Sequence, residues 1–233
     1  MAGSSWNEVK EVLRRIAPIC TAHDADGIDL FFLNYKNPKT LTNRNGTRGT
    51  GGFSRIRSAQ EVETIFKQVR PGGGTPTGTR INNIMRPYLS AYEAAVKANS
   101  DPEDTGIKPI NMIVITDGVA TDDPESVIIN VAKRLDKAEA PPYQVGIQFF
   151  QVGTERGAAE ALQELDDSLG DIAGGLRDIV DTVTWSNRDT RERSLSADAI
   201  LKVVLGAVVR RLDRRRASGE SSRPGQSGRL APR

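Results

Sequence analysis

Apolar residues in this chain alternate between long stripes at helical spacing and short unbroken runs, the pattern of helices interleaved with buried strands. Trp6, Val9, Leu13, Ile16 and Cys20, with Val12 and Ile19 beside them, form the first stripe, one broad helical face. Ser5 and Glu8 have the spacing of a capping box at its start, and Pro18 falls where it helps stop the helix. Residues 28–33, Ile-Asp-Leu-Phe-Phe-Leu, then read as a strand, and 53–56 as a short edge strand. A short helix is expected over 58–69, with Val62, Ile65, Phe66 and Val69 on one face. A longer helix follows, its buried side made by Ile81, Ile84, Met85, Tyr88, Leu89, Tyr92 and Val96. Pro87 inside it predicts a kink or a local rearrangement.

The strongest single signal is Ile110-Asn-Met-Ile-Val-Ile-Thr-Asp-Gly118. Its apolar run is continuous rather than alternating, as in a parallel strand covered by helices on both faces. Asp123 and Pro124 open another helix, with Pro at its favoured first position and Val127, Ile128, Val131 and Leu135 on the core face. Residues 145–152 read as the next strand, 158–169 as a helix and 179–185 as the last strand. Ser196 caps a final helix striped by Ile200, Leu201, Val204, Val208 and Leu212. Strands alternating with helices predict an α/β protein, a doubly wound and mostly parallel sheet flanked by helices.

Composition narrows the class. The 233 residues suffice for one sizeable core, and 37% hydrophobic with 27% charged residues suits a soluble globular protein. No apolar run is long enough for a membrane span, and residues 1–8 lack the basic and apolar regions of a secretory signal. The single cysteine, Cys20, cannot form an internal disulfide, so a reducing, cytoplasmic setting is expected; on its apolar face it reads as core rather than nucleophile. The net charge of +2 hides an asymmetry: twelve Lys/Arg against five Asp/Glu lie from Arg188 onward, over a mildly acidic remainder. The expected organisation is a domain over 1–186, a helix within 187–216 that packs on it or extends from it, and a disordered basic tail over 217–233.

Two loops could carry chemistry. Pro71-Gly-Gly-Gly-Thr-Pro-Thr-Gly-Thr79 is Gly-rich and opens into a helix, where N–H groups converge as a generic anion cradle. It is not a nucleotide loop: Thr79-Arg80 stands where Lys-Ser/Thr is required, and the loop follows a helix rather than a strand. The second loop, Thr116-Asp117-Gly118, ends a strand where open α/β sheets place their ligand crevice. Asp24-Ala-Asp26-Gly27 follows a helix and lacks a calcium loop's further ligands, with Tyr35 at the twelfth position, so it reads as a turn. His23, the only histidine, has no partner at metal-ligand spacing and reads as a surface turn residue.

Taken together, the motif Gly73-Gly-Thr-Pro-Thr-Gly78, a strand ending in Ile115-Thr-Asp-Gly118, and the phrase Asp26-Gly-Ile-Asp-Leu-Phe-Phe-Leu-Asn34 resemble the von Willebrand factor A domain over about residues 1–186. The resemblance implies an intracellular, non-enzymatic protein-interaction module. It assigns Thr75 and Asp117 to a metal ion-dependent adhesion site, and hard oxygen donors suit Mg²⁺. The implied ligand is a protein that offers an Asp or Glu carboxylate to the metal. Other members of the family carry a further loop, Asp-x-Ser-x-Ser, at the end of a first strand that lies mid-sheet. This sequence has neither, and Met1 falls where that motif would end. Three expectations follow: an amino-terminally incomplete domain, weak or absent Mg²⁺ binding, and a slot in the sheet between 28–33 and 110–115. Two other classes are weighed beside this one. A small α/β enzyme could use the same crevice, but no nucleophile–base pair or phosphate motif supports it. The Arg cluster at 210–216 could bind nucleic acid or an acidic surface, although cations at a helix C-terminus account for it.

Overall fold

The computed structural model describes residues 2–23, 26–41, 49–152, 157, 160–161, 164 and 176–183. The first stripe forms α1 (Ser4–His23), followed by β1 (Ile28–Leu30) and β2 (Phe53–Ile56). Next come α2 (Ala59–Gln68), α3 (Thr77–Asn99) and β3 (Ile110–Thr116). The described elements end with α4 (Pro124–Lys137), β4 (Val145–Gln151) and β5 (Val180–Val183). The class is mixed α/β. The expected helix over 187–216, its Ser196 cap, the Arg cluster and the tail lie outside the described residues, as does most of the helix expected over 158–169. Among the described residues no helix is long and apolar enough to cross a membrane.

The strands form two sheets. β1 and β2 make an antiparallel pair, and β3, β4 and β5 form a parallel sheet in that order. Helices cover both faces of the parallel sheet, because side chains alternate along its strands. Met112, Val114, Ile147 and Phe149 face α3 and α4, where Ile81, Met85, Leu89, Tyr92, Ile128 and Leu135 complete one core. Ile113, Ile115 and Phe150 face α1 and α2, joining Val9, Val12, Ile16, Val62, Ile65 and Phe66 in a second. Phe149 and Phe150 are both essentially sealed from water. Each contributes about 2–3 kcal/mol by burial, and a one-residue slip of β4 would exchange their faces. Trp6, Phe32 and Phe66 pack in tilted and edge-to-face contacts at 4.7–5.6 Å between ring centres and tie α1 and α2 to the chain leaving β1.

Several elements differ in detail from expectation. α1 begins at Ser4, which puts Ser5 inside the helix, and it runs through Pro18 to His23. A capping box does form at α2. Ser58 Oγ accepts the Glu61 N–H, and the Glu61 carboxylate accepts the Ser58 N–H. α3 runs without interruption across Pro87. β1 stops at Leu30, so only half of the apolar run 28–33 is in a ladder. β3 departs most from a fully buried strand, since 110–115 are all only half-buried. The reason is its position: β4 pairs with one edge, and among the described residues no strand pairs with the other.

Candidate functional site

The Gly-rich loop before α3 is held from three sides. Asn34, just past the apolar run that contains β1, donates through Nδ2 to the carbonyls of Gly72 at 2.6 Å and Gly74 at 2.8 Å. Thr121, in the loop after β3, donates its N–H to the Thr75 carbonyl at 2.9 Å and accepts the Thr75 N–H on Oγ1 at 3.2 Å. Asp122 accepts the Gly78 N–H at 2.9 Å and the Thr79 N–H at 2.7 Å, one on each carboxylate oxygen. These are the free amides of the first turn of α3, and a carboxylate is the natural group to receive them. Burial opposes ionisation of Asp122, but the bonds from Thr79 and Gly78 outweigh it and hold its pKa below the ordinary carboxylate value. A positive φ of +86° at Gly73 lets the loop make its turn.

The loop after β3 is shaped by Thr116, which is buried. Its Oγ1 exchanges hydrogen bonds with the Gly118 carbonyl and N–H, at 3.1 and 3.4 Å. Thr75 and Asp117, the residues singled out in sequence, are both half-buried and line the mouth of a single cleft. As a set for Mg²⁺ they are thin. They offer one neutral and one charged oxygen, Asp122 is engaged by amides, and no cluster of three or more His, Cys, Asp or Glu occurs among the described residues. Mg²⁺ favours six oxygens in near-octahedral array, so the residues present do not by themselves fit a dedicated site.

The cleft itself is the larger feature. It holds about 1090 Å³ and separates the two sheets, with 27–35 on one side and 108–117 on the other. Trp6, Val9, Leu13 and Ile16 of α1 and Ile81 and Ile84 of α3 supply its apolar walls. Cys20, expected in the core, is half-buried in the same lining and packs against the second core from outside. The two flanking segments run the same way. Near their starts Lys108 forms an ion pair with Asp26, and toward their ends Asn34 reaches the Gly-rich loop beside Asp117. Lys108 lowers the Asp26 pKa through this pair. A recess of about 240 Å³ between α3 and α4 is smaller, and its Arg134 is already clamped by Glu93.

Arg80 is the most unusual group in the cleft lining. Only 4% of it is exposed, and its guanidinium lies 5.4 Å from the centre of the Phe31 ring. Nη1 donates to the Thr50 carbonyl at 2.8 Å, while Nε and Nη2 are buried without a hydrogen-bond partner among the described residues. Burial pushes its pKa down. A buried cation beside the positive end of α3 is costly unless an anion joins it. Sequence reasoning passed over Arg80, Asn34 and Asp122. The Arg signal was visible only as a failed nucleotide motif, whereas Asp122 directly precedes the Asp-Pro helix start and could have been suspected as a loop ligand. Compared with models of protein families, with characterised proteins and with solved structures, the chain matches none.

Proposed function

We propose that this chain is a protein-interaction module of the von Willebrand factor A type, non-enzymatic, with an incomplete adhesion site. The observation that supports the reading is the convergence of both sequence-singled loops on one cleft mouth, joined by Thr75–Thr121 and Asp122–α3 hydrogen bonds. On this reading the parallel sheet with helices on both faces is the larger part of a doubly wound domain, and the cleft takes the place of its central strand. Val119, 46% exposed two residues after Asp117, adds an apolar contact for a docking protein. The protein ligand presents an Asp or Glu carboxylate at this mouth.

Magnesium titration followed by amide chemical shifts tests the reading. Shifts are expected at Thr75 and Asp117 only at millimolar Mg²⁺, and they vanish in Asp117→Ala. Micromolar affinity, or shifts confined to other residues, would refute the incomplete site. Turnover of a phosphate or acyl substrate that disappears in Asp117→Ala would favour an enzyme instead.

A further inference from the structure

Two strand edges face each other across the cleft. Along β3, the Ile110 N–H donates to Gln144, and the Thr116 carbonyl accepts from Val152, both on the β4 side. Main-chain groups alternate in direction along a strand, so those of Ile113 and Ile115 point the other way, into the cleft. Among the described residues no strand receives them. On the opposite wall, among the described residues, β1 pairs with β2 alone and residues 31–33 continue past it outside any ladder.

A strand matched in length to β3 would have seven residues, and the cleft lining follows 27–35 on one wall and 108–117 on the other. The Asp26–Lys108 ion pair bridges the two walls at one end. Two strand spacings, about 9.6 Å, lie within the combined reach of an extended Lys and an Asp. Apolar side chains of α1 wall one face of the gap and those of α3 the other, so an occupant would be apolar on both faces. Near the Gly-rich loop the same gap is lined by Arg80, a buried cation two of whose nitrogens find no partner among the described residues.

We propose that the cleft is a strand-uptake site for a partner polypeptide. It takes one extended apolar segment of about seven residues by main-chain pairing to β3 and β1, and a carboxylate flanking that segment pairs with Arg80. Main-chain pairing supplies affinity for any extended apolar segment, and the Arg80 donors supply selectivity at one end. Uptake would join the two sheets into one. The inference rests on cleft geometry and stands whether or not the metal-site reading holds.

The test uses the full 233-residue chain and fluorescein-labelled synthetic peptides, followed by fluorescence anisotropy. The first probe is a heptamer of alternating Val and Ile with Asp on each flank. Saturable binding is expected, weakened roughly tenfold when both flanking Asp become Asn, the scale of one charge-assisted hydrogen-bonded pair. On Arg80→Gln protein the two peptides should bind alike. A central Pro should weaken binding by a further order of magnitude, because it removes a ladder donor. Lack of saturable binding, or equal binding of the Pro-interrupted peptide, would overturn the proposal. So would a concentration-dependent dimer that excludes the peptide, since a second copy would then be the occupant. Should Arg80→Gln fail to fold by circular dichroism, the Asp-to-Asn peptide comparison on unmodified protein still decides the Arg80 role.

Discussion

Asp122 and Arg80 show how single side chains set the character of this site. Asp122 binds two amides of the first turn of α3 and so fixes the Gly-rich loop against the loop after β3. Replacing it with Ala should cost about 1–2 kcal/mol at neutral pH, as for the loss of a helix cap. Its folded pKa lies below the ordinary 3.8. Its contribution is therefore full above that value and is lost as the pH falls through the folded pKa. Urea unfolding of the native and Asp122→Ala proteins should show a gap that is constant from neutral pH down to mild acidity. That gap should close in stronger acid; one that persisted there would mean the carboxylate charge is not what matters. Arg80 has the opposite character. It is a charge whose burial is only partly compensated by Thr50 and Phe31, and nothing in composition or periodicity marks such a residue.

Among the elements, the contact between α3 and α4 is built at close range. A Cβ at Gly78 would lie 2.5 Å from the Asp123 carbonyl oxygen and 2.9 Å from the Pro124 Cα, both backbone atoms that cannot swing away. Gly78→Ala should destabilise the protein by about 1–3 kcal/mol, the usual cost of overpacking, read as a lowered urea midpoint with an unchanged slope. A neutral effect would show that the two helices can separate freely. Much at this scale was legible in the sequence. The stripes of α1, α2, α3 and α4 and the Asp123-Pro124 start carry their own periodicity and capping chemistry, and each forms close to where it is expected. β1 and β3 were legible as runs but not as ladders, because pairing depends on a neighbour that the run itself does not specify. That is why 31–33 lie outside any sheet, and why 110–115 are half-buried despite being almost wholly apolar. Thr75 and Asp117 were found from local loop chemistry, whereas the Asn34 and Thr121 tethers join residues 38 to 46 positions apart and leave no local pattern.

For the molecule as a whole, the decisive feature is the division of the described strands into two sheets with a cleft between them. Two cores stabilise the halves: one between α3, α4 and the parallel sheet, the other joining α1 and α2 to both sheets. Among the described residues the β3 edge opposite β4 stands open onto this cleft. Amide hydrogen exchange on the chain alone, resolved by residue, tests this most directly. The amides of Met112 and Val114 point toward β4 and should be protected, whereas those of Ile113 and Ile115 should exchange roughly a hundredfold faster, the ratio that about 3 kcal/mol of protection supplies. Alternating slow and fast amides along 112–115 would be the signature of a one-sided strand. Equal protection of all four would contradict an open edge, because the slot would then already be filled or closed.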